Sequence, residues 1–355
     1  MSLYEKVLKE IEQKKINKEQ GYFNGIPFPY QNYQENYVSS IDKGQYAGIV
    51  AAPGEGKSRW ARYTYVYKPL QFSLKHNYPI KILYFALEDS KESIQKKIFA
   101  HYLYDKHNED VNPKYLESKE KPLSQRLLDL IKKDAEFYKK FEDNVFIIDN
   151  INTPSGIYNK CVAANEKFGA THHMIVIIDN YANIIKEAHH LNEHEAVGEL
   201  SRKYVRLELC KRLKMSVLAV VQQDLASVNH AARNSDNIKM STVEPNLASL
   251  GNNKQITRDF HILWALFTPW RFEIKAYPNK EGWNTEVLRN RFKSLIMLKT
   301  NESEMAPRMG MLFNGGRETF EEMPSIKDIE ALDRLYKNVL QEEQEKRDKF
   351  KKTLF

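Results

Sequence analysis

Cysteine is scarce in this chain: Cys161 and Cys210 are the only two among 355 residues. Two cysteines cannot build a disulfide framework, and they fit a reducing compartment. Long apolar runs are missing as well. No stretch approaches the ~18 residues that a membrane-crossing helix needs. The opening MSLYEKVLKEIEQKKINKEQ has the charged pattern of a helix without the apolar centre of a signal peptide. A strong excess of one charge is absent too. Lys and Arg total 54 against 47 Asp and Glu, a net charge of +7, which permits a polyanionic partner without demanding one. With 42% hydrophobic and 28% charged residues, the balance excludes wholesale disorder. The expectation is a soluble, cytoplasmic, mildly basic protein with no membrane partner.

What is present is an alternation. Short β-rich runs at 46–52, 80–86, 144–149, 174–179 and 216–222 are separated by helical patterns at 90–103, 124–141, 154–168 and 195–214. Several of the runs are apolar almost throughout, as strands buried on both faces of a parallel sheet must be. This pattern predicts an α/β layered domain. Later strands at 260–267, 294–299 and 309–313, separated by loops, predict an antiparallel extension. Leu3, Val7, Leu8, Ile11 and Ile16 recur at helical spacing in residues 3–18, so that helix packs either on its own domain or on a neighbouring subunit. From Ser325 the chain is again helical. The organisation read from this is an N-terminal helical arm and linker (1–24), one principal domain (25–322) and a C-terminal helical tail (323–355), with no internal repeat.

One segment carries a specific chemistry. Ala51-Ala52-Pro53-Gly54-Glu55-Gly56-Lys57-Ser58 fits the phosphate-binding loop, between a predicted strand and a predicted helix as that motif requires. Glycines at 54 and 56 let successive backbone N–H groups converge on phosphate oxygens beside a helix N-terminus. Lys57 would neutralise phosphate charge, and the Ser58 hydroxyl would ligate Mg2+. The expected cofactors are therefore ATP and Mg2+, and the nucleotide-binding set is Ala52, Pro53, Gly54, Glu55, Gly56, Lys57, Ser58, Arg59 and Asp179. Two apolar strands end in an acid able to hold Mg2+, at Asp149 and at Asp179, and spacing alone does not choose between them. Glu88 follows the strand at 80–86, where a carboxylate could polarise the attacking water; a charge at a helix N-terminus is its simpler use.

Over residues 21–322 the order of motifs resembles the RecA-fold motor domain of DnaB-type replicative helicases. GIPFPYQNYQENYVSSIDKGQ resembles the family segment leading to the phosphate loop, and ILYFALEDSKESIQKKIFA its strand–Glu–helix motif. MIVIIDNYANII resembles the metal-binding strand, VLAVVQQ the strand ending in a γ-phosphate-sensing Gln, LASLGNNKQITRDFHILWAL the stretch after the central DNA-binding loop, and LIMLKTNESEMAPRMGMLFNGGRETF the C-terminal hairpin. The resemblance implies a RecA-like P-loop core, with a central, mostly parallel sheet flanked by helices and antiparallel C-terminal strands. It implies Glu88 as catalytic glutamate, Asp179 rather than Asp149 as the Mg2+ carboxylate, Gln222 as sensor, and Lys299 acting on the adjacent subunit's nucleotide. Where the family carries an arginine finger this chain has Asn301, which leaves Arg308 as a substitute or implies slow, partner-dependent hydrolysis. Where the family carries an arginine after the catalytic glutamate, Lys97 stands.

The resemblance further implies single-stranded DNA as partner, a homo-oligomeric ring (a hexamer), and a primase or helicase loader as a further partner. The loops 186–194 and 224–253 match the DNA-facing positions, with Lys186, Arg233 and Lys239 as candidate phosphate contacts. No helical primase-binding domain precedes the motor motifs, a pattern resembling phage-encoded members and pointing to DNA replication in the host cytoplasm. The competing expectations are a RecA-fold filament or recombination mediator that binds single-stranded DNA under ATP control without unwinding, and an ATP-dependent scaffold. The pairs His172/His173 and His189/His190 lack Cys or carboxylate partners at ligand spacing, which argues against a second metal site.

Overall fold

The computed structural model describes residues 2–21, 23–118, 122–223, 243–247, 250, 256–301 and 303–354. Nine strands form one sheet: β1 Tyr46–Ala51, β2 Ile80–Ala86, β3 Val145–Ile148, β4 His173–Asp179, β5 Ser216–Gln222, β6 Ile262–Phe267, β7 Phe292–Thr300, β8 Met309–Asn314 and β9 Thr319–Glu322. Their spatial order is β9-β8-β7-β6-β1-β5-β4-β2-β3. From β6 to β3 neighbouring strands run parallel, and from β6 to β9 they alternate. This is the mixed sheet expected from sequence, with β9 added. Four residues with one buried pair, Thr319 and Phe320, are too short to stand out as a strand.

Parallel strands need crossover helices on both faces, and the core divides accordingly. One face packs against the helix after the phosphate loop, with Trp60, Tyr65 and Leu70 beside Ile49, Tyr84 and Trp264. Aromatics of residues 26–37 seal that face: Phe28 stacks on Trp264 at 5.5 Å and Tyr30 on Trp60 at 6.5 Å between centroids. The opposite face is covered by Pro154–Phe168 and by Glu193–Glu199 continuing into Leu200–Arg212. Cys161 and Cys210 are buried there as small apolar groups, and burial pushes both thiols up. A third cluster gathers Trp283, Phe292, Leu332 and Val339, so the C-terminal helix Ile329–Leu354 packs its first turns on the antiparallel end of the sheet.

The helical pattern over 124–141 is two helices, Gln125–Lys133 and Ala135–Asn144. The break falls at Asp134, a buried acid paired with Lys106 and His107 of another helix. The N-terminal helix Leu3–Glu19 forms as expected, with a Ser2–Glu5 capping box, and it buries none of its residues. No helix among the described residues is long and apolar enough to cross a membrane.

At the N-terminal end of β4, His173 is buried between two hydroxyls. Ser216 Oγ donates to the Asp42 carbonyl at 2.6 Å, so at 2.6 Å it accepts from His173 Nε2–H, and Tyr78 lies 3.2 Å from Nδ1. The ring is neutral, and burial, helped by the charge of Lys43, pushes its pKa down to about 3. Below the ordinary value of 6.5 the unfolded chain takes up a proton that the folded chain refuses, so stability falls as pH drops through that window. Urea denaturation between about pH 7 and about pH 5 should show His173→Gln with a shallower pH slope than the wild type, by up to about 1.4 kcal/mol per pH unit.

Candidate functional site

The parallel strands β1, β2, β4 and β5 deliver their C-terminal ends to one edge of the sheet, where ligands bind in folds of this layout. After β1 the chain turns through Ala52–Glu55, with Gly54 at φ 79° and Gly56 at φ 97°. Space is open where a side chain on Gly54 would point, and one on Gly56 would only touch Phe313 and Phe320, so the positive φ and not crowding is what favours glycine at both. Gly56 caps the helix that begins at Lys57, so Lys57 and Ser58 occupy its first turn.

The loop is held from beneath. Glu55, only 2% exposed, receives Arg271 Nη1 at 2.7 Å and the Thr268 hydroxyl, and Lys293 Nζ lies 3.6 Å away. Arg271 also donates to the Pro53 carbonyl at 2.9 Å, and Lys293 to Thr268 Oγ at 2.6 Å. Burial pushes the Lys293 ammonium down, with Glu55 opposing. The sequence places Glu55 in the nucleotide-binding loop; its carboxylate points away into this ion-pair cluster.

Asp179 ends β4 beside this loop. Ser58 Oγ donates to its Oδ1 at 2.9 Å and Tyr84 OH to its Oδ2 at 2.5 Å. Burial pushes the Asp179 carboxyl above its usual range, opposed by the Tyr84 hydrogen bond, Arg62, Ser58 and Lys57. A divalent cation beside it would act in the same sense as those opposing groups. Asp149, the other acid that spacing allowed, follows strand β3 at the sheet margin, where it accepts the Lys91 N–H at 2.9 Å at the start of the helix Lys91–His107. Hydroxyl and carboxylate oxygens side by side suit a hard cation such as Mg2+, and Ser58 with Asp179 provides them.

Glu88 follows β2 and is exposed. Two hydrogen bonds hold its segment, Leu87 N to the Asp179 carbonyl of β4 at 2.7 Å and Asn183 Nδ2, from the turn after β4, to the Leu87 carbonyl at 2.9 Å. Asn180 Nδ2 donates to Glu88 Oε2 at 3.3 Å. Gln222 ends β5 in register with Ala51, at the base of the phosphate loop. Arg59, half exposed, lies 3.8 Å from Glu318 and 5.8 Å over Phe313. Lys97 pairs with Asp89 at 2.5 Å.

The two cations expected to act on a neighbouring subunit are engaged within the chain. Lys299 Nζ donates to the carbonyls of Thr257, Arg258 and Phe260 at 3.1, 3.0 and 2.7 Å. Arg308 forks onto Glu244 at 2.5 and 2.7 Å. Asn301 is exposed at the end of β7. Lys186 lies in the exposed loop after β4 and donates to the Leu191 carbonyl at 3.1 Å. Arg233 and Lys239 lie outside the described residues.

Three side chains of this site are not singled out by the sequence: Tyr84, Arg62 and Glu318. Arg62 lies one helical turn beyond Ser58, and a charge on the same face as a phosphate-loop serine is the available signal. The histidines at 189 and 190 do acquire carboxylates, brought from outside the local spacing. Their Nε2 atoms lie 3.0 and 2.7 Å from Glu199 Oε2, and Glu187 joins within a 4.8 Å cluster. His190 Nδ1, however, accepts the Glu187 N–H at 3.0 Å. That leaves the proton on Nε2, directed at Glu199, so this ring acts as a hydrogen-bonded brace. Burial would raise the Glu199 carboxyl, but Lys203, His189 and His190 outweigh it and take it down to about 2.

No protein-family model and no curated protein sequence matches this chain. Solved structures do. The chain is similar to a DnaB-like replicative helicase whose structure was studied with primase, at a TM-score of 0.64 and 15% identity, over 90% of this chain and 67% of that one. It is similar to a second solved chain, itself an ATPase domain, at a TM-score of 0.67 and 14% identity, over 91% of this chain and 99% of that one. The chain shares its fold with both of these structures. If the loop holds ATP, replacing Lys57 with Ala should weaken that binding by about 1.5–3 kcal/mol, roughly 10- to 150-fold. Titration calorimetry checks this, and an unchanged affinity would remove Lys57 from the site.

Proposed function

We propose that this chain is the ATP-hydrolysing subunit of a DnaB-like ring motor that binds and moves along single-stranded DNA, in the replication of a phage or comparable genome. The observation that carries the proposal is the contact of Ser58 with Asp179 at 2.9 Å beneath an open phosphate loop, within a fold shared over nearly the whole length of a solved ATPase domain. ATP phosphates would sit on the N–H groups of Gly54 to Ser58, with Lys57 compensating charge and Arg59 beside them. Ser58 and Asp179 would hold Mg2+, which when bound would neutralise charge on the phosphate oxygens and so ease the approach of a nucleophile. Glu88, oriented by Asn180, would take the proton of the attacking water, and Gln222 would register the terminal phosphate.

Assembly enters at two places. The helix Leu3–Glu19 exposes Leu3, Tyr4, Val7, Leu8, Ile11 and Ile16, an apolar stripe without cover among the described residues of its own chain, which suits docking on a second copy. Lys299 and Arg308 would reach a neighbour's nucleotide only after leaving the carbonyls and carboxylate that hold them. Hydrolysis by the isolated chain would therefore be slow, and assembly on DNA would raise it. Lys186, Arg233 and Lys239 are the proposed DNA phosphate contacts. A primase or loader is a proposed partner by analogy with the helicase neighbour. A second reading, a filament that binds single-stranded DNA without unwinding, draws on one observation: Asn301 stands where an arginine finger would act.

ATPase rate with and without single-stranded DNA, run beside fork unwinding, separates the two. The motor reading expects stimulation by DNA and unwinding, both lost in Glu88→Gln by about 100-fold or more while ATP and DNA binding persist. DNA binding with no unwinding on any fork would favour the filament. Native mass spectrometry gives the assembly directly. The intact chain should form a closed hexamer, and removal of residues 1–20 should shift it toward smaller species; a hexamer unchanged by the deletion would discard the docking role of that helix.

A further inference from the structure

We propose that Tyr84 is a positioning residue for Asp179, and that Arg62, backed by Glu318, locks its hydroxyl in the donating sense. The inference deepens the ATPase reading and rests on it. Tyr84 OH lies 2.5 Å from Asp179 Oδ2 and 3.2 Å from Arg62 Nη1. A guanidinium has no acceptor, so Arg62 donates to the phenolic oxygen and the phenolic proton is committed to Asp179. Arg62 is fixed in turn by Glu318, which accepts Nε at 2.9 Å and Nη2 at 2.6 Å, and Tyr67 OH donates to the same carboxylate at 2.9 Å. Tyr84, Arg62, Tyr67 and Glu318 are all at most 4% exposed.

The consequence is geometric. With Oδ2 tied to the sheet by Tyr84, Oδ1 is the oxygen turned to Ser58, so both proposed metal-facing oxygens are aligned before any cation arrives. Rotation of the Asp179 carboxylate would break a charge-assisted bond and leave the buried Tyr84 O–H without its acceptor. The pair Arg62–Glu318 also keeps the guanidinium charge spent on Glu318. Were it not so spent, Arg62 would compete for Asp179 with the cation that Asp179 is meant to hold. Groups that orient a metal-binding carboxylate in this way typically contribute ten- to a hundredfold in metal affinity.

The experiment uses the full chain and reads metal dependence separately from nucleotide binding. ADP affinity is measured by titration calorimetry in EDTA and over a Mg2+ series, for wild type, Tyr84→Phe and Glu318→Gln, with circular dichroism melts on each. Tyr84→Phe is expected to raise the Mg2+ concentration at half-effect by about tenfold while leaving the EDTA affinity within about twofold. Glu318→Gln keeps the shape, frees the Arg62 charge and should shift the Mg2+ midpoint in the same direction. If either variant does not fold, the other decides. A Mg2+ midpoint equal to wild type overturns the proposal. So does an EDTA affinity falling by the same factor as the Mg2+ affinity, which would mean general loosening of the site. A wild-type chain that binds no ADP with or without Mg2+ would overturn the ATPase reading itself.

Discussion

A carboxylate buried at the end of a sheet of apolar strands has to be supplied with donors or it will not stay charged. Asp179 is in that position, and much of the site can be described as the supply. Ser58 approaches from the phosphate-loop helix, Tyr84 from the adjacent strand, and Arg62 stands behind Tyr84 with Glu318 behind it. The donors come from the helix and the neighbouring strand, and their support from the hairpin turn, so these elements cannot shift independently without exposing an unpaired buried charge. The contacts that align Ser58 with Asp179 are the same contacts that keep the strand end intact.

What sequence made legible followed from local rules. The phosphate loop needs its glycines at fixed offsets, a buried parallel strand needs an unbroken apolar run, and the strand-ending acids and Gln222 are read at once when those runs stop. Resemblance alone separates Asp179 from Asp149 in the sequence; in the sheet, β4 lies next to β5 and Asp179 meets Ser58, while β3 is at the margin. The illegible parts depend on long-range pairing. Arg62 and Glu318 are 256 positions apart, and no local pattern announces that they meet. The helix break at Asp134 was hidden because its cause, Lys106 and His107, sits on another helix. Glu199 was invisible as a partner of His189 and His190 for the same reason.

Lys299 and Arg308 show how a residue can be matched to a role that its surroundings qualify. Lys299 satisfies three carbonyls of one turn, a use that any lysine at a strand end facing free carbonyls would find. Arg308 has a bidentate carboxylate, the strongest geometry available to it. The Glu244 bond outweighs burial and leaves its guanidinium firmly protonated. For either to act between subunits, the interface must offer anions good enough to replace these partners, and a nucleotide's phosphates are such anions. Docking and nucleotide binding would then be coupled through an exchange of partners, and no flexible arm is needed.

The antiparallel strands β7–β9 could be taken for an appendage to the parallel core, but the charge pairs argue otherwise. Glu55, inside the phosphate loop, is held by Lys293 of β7 together with Arg271 and Thr268 from the turn after β6. Arg62, one turn into the following helix, is held by Glu318 from the turn before β9. Glu55 and Arg62 are therefore each paired with a buried charge from the antiparallel part of the sheet, Lys293 and Glu318, and Glu55 is held also by the half-exposed Arg271 after β6. Separating one partner of such a pair leaves an uncompensated buried charge, at a cost of about 3–5 kcal/mol, more than ordinary fluctuation supplies. The phosphate-loop segment and the strand and turn that carry Lys293 and Glu318 are thus energetically coupled.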